Sequence, residues 1–194
     1  MKFKFAAVLA ILGILFVITI SVFILTEDYD LMEFIQDNEW FAYLALLFPI
    51  GFLILLGEIN IQGDVKLSIV SLLAVIGVTY NFTMTLFGAN IGQLILKNPW
   101  LGYISLIYPL SLFVFFITLL NSKFQYMAVG IIAAIVGTFW QLVETILILT
   151  KDESIIRFFF QEKIGYILAT LLMPVLVLIF FIVVLISNHE RASA

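Results

Sequence analysis

The residues best suited to chemistry in this chain lie in "GTFWQLVETI", 137–146, where an indole, a carboxamide, a carboxylic acid and a hydroxyl interrupt a run of apolar side chains. At 100° per residue, Gly137, Trp140, Gln141, Glu144 and Thr145 fall within an arc of about 140° on one helix face. A second such face stands 60 residues earlier, where Gly77, Tyr80, Asn81 and Thr85 share one side of "AVIGVTYNFTMTL". Amides and an acid at this spacing suit three tasks: hydrogen-bonding a small solute, holding a cation or an ammonium group, and exchanging a proton. Glu144 lies five residues before the end of its apolar run, roughly 7 to 8 Å inside the boundary at 1.5 Å per residue. In the plainer reading its side chain reaches the interface or is neutralised within a bundle. In the functional reading it is a site group, because a carboxylate in hydrocarbon is costly without a partner.

The elements that must position these groups follow from composition. With 64% hydrophobic and 11% charged residues in a chain of 194, and a mean hydropathy of +1.22, there is more apolar side chain than a water-soluble fold can hide. The lipid bilayer is thus the expected partner. A hydrocarbon core of about 30 Å needs about 20 apolar residues per helical crossing, and the chain divides into six such runs at 5–25, 40–57, 67–87, 100–120, 126–149 and 164–187. The runs are continuous, as helices require, and do not alternate as barrel strands would. The expected fold is an all-α integral membrane protein with six transmembrane helices, a single membrane domain over 1–194 ending in a polar tail at 188–194.

The first run follows "MKFK" and lacks a small-x-small cleavage pattern, so it reads as a span and not a removed signal. Lys2 and Lys4 set a cytoplasmic N-terminus, and six spans return the C-terminus to the same side; the plasma membrane is the expected location. The wider basic bias is small, with Lys66, Lys123 and Arg191 also inside against Lys97, Lys151, Arg157 and Lys163 outside. The acids are lopsided: Glu27, Asp28, Asp30, Glu33, Asp37, Glu39, Asp152, Glu153 and Glu162 all fall outward, a field able to concentrate cations.

A repeat of about 60 residues underlies the two polar faces. "NEWFAYLALLFPI" at 38–50 aligns with "NPWLGYISLIYPL" at 98–110, keeping Asn38/Asn98, Trp40/Trp100, Tyr43/Tyr103, Leu46/Leu106 and Pro49/Pro109. The same offset pairs Ala74 with Ala134, Gly77 with Gly137, Tyr80 with Trp140, Asn81 with Gln141 and Thr85 with Thr145. A fainter third copy relates 24–38 to 148–162, and Pro174 falls in the sixth span much as Pro49 and Pro109 do in theirs. The pattern implies three tandem helix-hairpin repeats, over 5–57, 66–120 and 126–187, each with a short amphipathic outer elbow ("LMEFIQDN", "IGQLILKN", "IIRFFFQE").

Polar faces in hydrocarbon turn inward, and the small residues Ser71, Ala74, Gly77 and Gly130, Ala133, Ala134, Gly137 permit close helix approach. The third and fifth spans are therefore expected to be neighbours. Tyr43 and Tyr103, just inside the outer starts of their spans, complete an expected cleft with Asn81, Thr85, Gln141 and Glu144, and the mid-span prolines are expected to kink the walls. Trp40 and Trp100 read as interfacial anchors, and Gly88 and Gly92 as loop residues.

Several functions are set aside. The chain has no cysteine, its one histidine, His189, sits in the polar tail, and no His/Glu constellation or glycine-rich phosphate loop is present, so neither metal, nor cofactor, nor enzyme chemistry is expected. Scattered basic residues make no nucleic-acid surface. What remains is a small transporter, channel-like or membrane-embedded solute-binding protein with a site at Glu144, Gln141, Trp140, Asn81, Tyr80, Thr85, Tyr43 and Tyr103, taking a small solute or cation. The alternative is a non-catalytic accessory or structural subunit with membrane-protein partners. The order of odd helix, elbow and even helix is similar in outline to the mitochondrial carriers, but the repeats are shorter, the prolines sit in even spans and the Pro-x-[Asp/Glu]-x-x-[Lys/Arg] motif is missing. Six spans in a chain of this size also resemble the substrate-binding subunits of energy-coupling-factor vitamin importers, in size alone. No family is assigned.

Overall fold

The computed structural model describes residues 2–26, 39–62, 65–97, 99–150 and 152–190, with the side chains at 39–42, 62, 85–97, 99, 101 and 188–190 outside that description. The elbow expected at 31–38 and the side chains of Trp40 and Thr85 thus lie outside the described residues. Every regular element among the described residues is helical. They are α1 (Lys2–Thr26), a 3₁₀ segment Glu39–Leu46 leading into α2 (Leu47–Gln62), α3 (Val65–Lys97), a 3₁₀ segment Pro99–Leu106 leading into α4 (Ile107–Leu120), a 3₁₀ turn Gln125–Met127 leading into α5 (Ala128–Leu149), α6 (Glu153–Gln161), α7 (Lys163–Thr170) and α8 (Leu172–Glu190). Six stretches are long and apolar enough to cross a membrane: Lys2–Thr26, Tyr43–Ile61, Val65–Met84, Gly102–Leu120, Gln125–Leu149 and Lys163–Ser187.

The long helices form a closed ring in chain order. α1 packs on α2, α2 on α3, α3 on α4, α4 on α5, α5 on α8, and α8 returns to α1. Lys2 and Glu58 meet at 3.1 Å at the end of the ring that carries the N-terminus; this is the proximal end, and α6 marks the distal one. Among the described residues the third and fifth spans are not the packed neighbours expected, because α4 stands between α3 and α5. The small residues serve other partners. A Cβ on Gly77 would meet Ser111 Oγ and Tyr108 Cα of α4, and one on Gly130 or Gly137 would meet Phe180 or Met173 of α8. A small-residue stripe shows that a neighbour comes close, without saying which one.

The odd spans bury one face through corresponding positions. These are Ala6, Ala7, Ala10, Gly13 and Ile14 in α1, Val70, Ser71, Ala74, Gly77 and Val78 in α3, and Gly130, Ile131, Ala134, Gly137 and Thr138 in α5. Each set follows an i, i+1, i+4, i+7, i+8 spacing, the stripe that a 3.6-residue period lays along one side of a helix. The fourth member of each set is a glycine that abuts the residue before a proline. A Cβ on Gly13 would lie 2.8 Å from Phe48 Cα, on Gly77 3.2 Å from Tyr108 Cα, and on Gly137 3.4 Å from Met173 Cα.

The even spans are not the plain kinked helices expected. Pro49, Pro109 and Pro174 are each the third residue of an α-helix, in Leu47-Phe48-Pro49, Ile107-Tyr108-Pro109 and Leu172-Met173-Pro174. A proline has no N–H and its ring clashes with the carbonyl four residues back, so an α ladder cannot run through it, whereas the first turn of a helix accepts it. The chain therefore restarts its α-helix just before each proline, preceded by a 3₁₀ segment in the second and fourth spans and by the separate helix α7 in the sixth.

Below the prolines lies the core. Phe52, Leu55, Leu56 and Ile59, Leu112, Phe115, Phe116 and Leu119, and Val177, Phe180, Phe181 and Val184 are all 0% exposed. Their rings interlock across the axis, with centroids 5.3 Å apart for Phe52 and Phe181, 5.9 Å for Phe52 and Phe116, and 5.0 Å for Phe116 and Phe180. Separations of 4.5 to 7 Å with tilted planes are favourable for aromatic pairs. The proximal half of the bundle is thus plugged by phenylalanine. The outward faces, among them Leu12, Ile69, Leu72, Ile76, Val129 and Ile132, stay apolar and exposed, as suits helices facing lipid.

Two elbows differ in kind. Residues 91–98 were expected to form a separate amphipathic piece, and Gly88 and Gly92 a loop, but α3 continues unbroken to Lys97. Extending an existing helix needs no new nucleus, a glycine costs only about 1 kcal/mol there, and no proline intervenes before Pro99. The third elbow is a distinct helix, α6, because Asp152 caps it: its Oδ1 accepts from the Ser154 amide at 2.8 Å and the Ile155 amide at 3.4 Å. A hydrogen bond from the Ser154 hydroxyl, with those from the two amides, holds the Asp152 carboxyl below its ordinary value of 3.8. A lowered folded value contributes stability that is complete above the ordinary value and is lost as pH falls through the folded one. Local melting of α6, followed by amide exchange, is expected to appear only in strong acid, and Asp152→Ala is expected to produce it at neutral pH.

Candidate functional site

Distal to the phenylalanine plug the ring encloses a cavity of about 290 Å³. Its walls come from every part of the ring: Ile14 and Val17 from α1, Phe48 from α2 with Ala45 just before it, Asn81 from α3, Tyr108 from α4, Gln141 from α5, and Ala169, Thr170, Met173 and Pro174 from the break between α7 and α8. Val17, Asn81 and Gln141 each lie four residues, about one turn, beyond Gly13, Gly77 and Gly137. Phe48, Tyr108 and Met173 are the residues that precede Pro49, Pro109 and Pro174. The glycines bring the spans together, and the next turn of each odd span then meets the helix restart of its partner, leaving space between them.

Asn81 and Gln141 thus line one cavity although their helices do not pack on each other. The Oε1 of Gln141 is buried without a hydrogen-bond partner among the described residues. A buried amide oxygen left unpaired costs about 1 to 3 kcal/mol, so this position calls for a donor from a solute or from water.

The remaining expected site residues are distributed elsewhere. Glu144 is half-buried one turn distal to Gln141 on the same helix face, outside the cavity lining. Thr145 spends its hydroxyl on the Gln141 carbonyl of its own helix, at 2.7 Å. Tyr80 packs against the core with its hydroxyl buried and unpartnered among the described residues, and it does not line the cavity. Tyr43 and Tyr103 are 58% and 62% exposed on the outside of the ring, and Tyr103 borders a separate surface depression with Leu106, Ile146, Leu149 and Thr150. Depth in the sequence did not reveal their facing. Eight residues of 3₁₀ helix turn about 160° further than eight of α-helix, so the side that faces inward moves to Ala45.

Trp140 is a brace. Its Nε1 donates to the Leu168 carbonyl at 2.9 Å, and its ring meets Phe159 of α6 edge-on at 6.5 Å. Leu168 belongs to the last turn of α7, where the helical ladder ends: the Ile167 carbonyl still accepts from the Leu171 amide, and the indole supplies a donor to the next carbonyl along. Trp140→Phe is expected to remove about 1 to 3 kcal/mol of stability by stranding that carbonyl, measured as a lowered unfolding midpoint in detergent. The 65%-exposed Trp100 is the control, and Trp100→Phe is expected to leave the midpoint unchanged.

Sequence reasoning missed the apolar half of the site, namely Ile14, Val17, Phe48, Tyr108 and Met173. The available signal was positional, since each proline in an even span marks its preceding residue as a wall of the cavity. Comparison with protein-family models, with curated proteins and with solved structures finds no match to this chain.

Proposed function

We propose that this chain is an integral membrane protein of three tandem hairpins that binds a small solute in its distal cavity and works as a transporter or membrane-embedded solute-binding protein. Both termini are cytoplasmic in the plasma membrane, so the cavity belongs to the outer half and the phenylalanine plug to the inner. The observation that carries the reading is the convergence of Asn81 and Gln141 from separate helices onto one cavity, the Gln141 Oε1 being buried and without a hydrogen-bond partner among the described residues. Asn81 and Gln141 bind the solute, Tyr108, Phe48 and Met173 shape its pocket, and Glu144 stands at the distal approach. The corresponding positions of Gly13, Gly77 and Gly137, and of Pro49, Pro109 and Pro174, support the hairpin repeat.

The test is a thermal-unfolding screen of the full chain in detergent against small solutes, charged and uncharged. At least one is expected to raise the midpoint, and Asn81→Leu or Gln141→Leu is expected to abolish that rise while the unliganded variant still folds. If no solute stabilises the protein, or if stabilisation survives both substitutions, the solute-handling role falls and a non-catalytic subunit of a larger membrane assembly takes its place.

A further inference from the structure

The chemistry of the cavity wall narrows what can occupy it. Among the described residues, no carboxylate, imidazole, ammonium or guanidinium lines the cavity. A metal cation stripped of water needs about six to eight oxygen ligands, commonly with carboxylates among them. A buried ammonium without a counter-charge is strongly disfavoured. The wall instead offers neutral hydrogen-bonding groups on one side, Asn81 and Gln141, and an apolar surface of Ile14, Val17 and Phe48 on the other.

The backbone adds to the demand for donors. Thr170 and Pro174 both line the cavity, and Pro174 has no N–H to give to the carbonyl four residues before it, which is that of Thr170. The Thr170 hydroxyl is already committed to the Tyr166 carbonyl at 2.8 Å. Gln141 Oε1 is without a hydrogen-bond partner among the described residues, so the Gln141 side chain is an acceptor that lacks a donor. The volume, about 290 Å³, is at the lower end of the range of small-molecule pockets.

Resting on the solute-binding reading above, we infer that the occupant is an uncharged, amphipathic small molecule with an amide-like N–H donor. Its polar edge lies between Asn81 and Gln141 and its apolar side lies against Ile14, Val17 and Phe48. The cation or ammonium group suggested by Glu144 is not the occupant, because that carboxyl lies outside the lining.

The experiment compares benzamide and N-ethylacetamide with choline and ethylammonium as ligands of the full chain in detergent, read by the unfolding midpoint over a concentration series. The uncharged amides are expected to stabilise the protein. Gln141→Leu is expected to weaken them about tenfold, the value of one buried hydrogen bond, and Gln141→Glu, which keeps the shape but adds charge, is expected to weaken them at least as much. Glu144→Gln is expected to leave them within about twofold. Stabilisation by choline or ethylammonium that Glu144→Gln abolishes would overturn the inference and leave the solute-binding reading standing. Stabilisation by none of the four, with other solutes of the wider screen active at Gln141, would overturn the amide class alone; inactivity of every solute would remove both.

Discussion

Gly13→Ala is expected to cost about 3 kcal/mol or more, the upper end of the range for overpacked sites, and to lower the unfolding midpoint by roughly 6 to 12 °C for a chain of this size. The added Cβ would collide with the Phe48 amide nitrogen and sit 2.8 Å from its Cα. These are backbone atoms, and no rotamer change moves them aside. Relief requires α1 to move away from the start of α2, which opens the contact holding Ile14 and Phe48 against the cavity. Gly57→Ala is the matched control in the same pair of helices. Nothing lies within 4 Å of its Cβ position, so this change is expected to be neutral or, through the better helix propensity of alanine, stabilising. Circular dichroism melts of both variants in one detergent measure the difference directly.

Phe181→Ala is expected to cost about 3 to 5 kcal/mol, the usual range for deleting a buried aromatic ring. Phe181 is 0% exposed and touches Phe48 at 6.2 Å, Phe52 at 5.3 Å and Phe180 at 5.2 Å between centroids. It therefore joins the wall of the cavity, through Phe48, to the plug beneath. Removing it leaves a void under the site and thins the barrier to the proximal end. Phe181→Leu is expected to recover most of the loss by refilling the volume. Ile182→Ala, next in sequence but 40% exposed, is expected to cost less than about 1 kcal/mol. Denaturant titrations of the three variants order them.

Much of this architecture was legible in the sequence because long apolar runs mark the helices that are long and apolar enough to cross a membrane. The six spans match in number and lie within a few residues of their expected limits. The inward faces of α3 and α5 were also legible, since Gly77 and Asn81, like Gly137 and Gln141, share a helical period, and Asn81 and Gln141 both line the cavity. What could not be read was the identity of neighbours. Gly77 and Gly137 resemble two halves of one interface, yet each meets the helix that follows it in the ring, because connections this short place consecutive spans side by side. Nor did composition reveal the 3₁₀ segments. Glu39–Leu46 and Pro99–Leu106 look helical in propensity, and only the proline three residues after each segment ends betrays the change of pitch that turns Tyr43 and Tyr103 outward. Trp140 misled for a different reason. An indole beside polar residues suggests a binding face, whereas its N–H answers a carbonyl orphaned 28 residues further along the chain.

Cysteine accessibility tests most directly whether Asn81 and Gln141 turn into one common space. The chain contains no cysteine, so single substitutions report without a background. Asn81→Cys and Gln141→Cys are to be reacted with a small water-soluble thiol reagent in membranes, beside Ile76→Cys and Val136→Cys on the exposed apolar faces of the same helices, where the native side chains are 56% and 51% accessible. The expected result is that Asn81→Cys and Gln141→Cys are modified, that a short bifunctional reagent links them in the double variant, and that the two controls stay inert in lipid. Inertness of Asn81→Cys and Gln141→Cys alongside the controls, or modification of each without any link between them, would contradict a shared cavity.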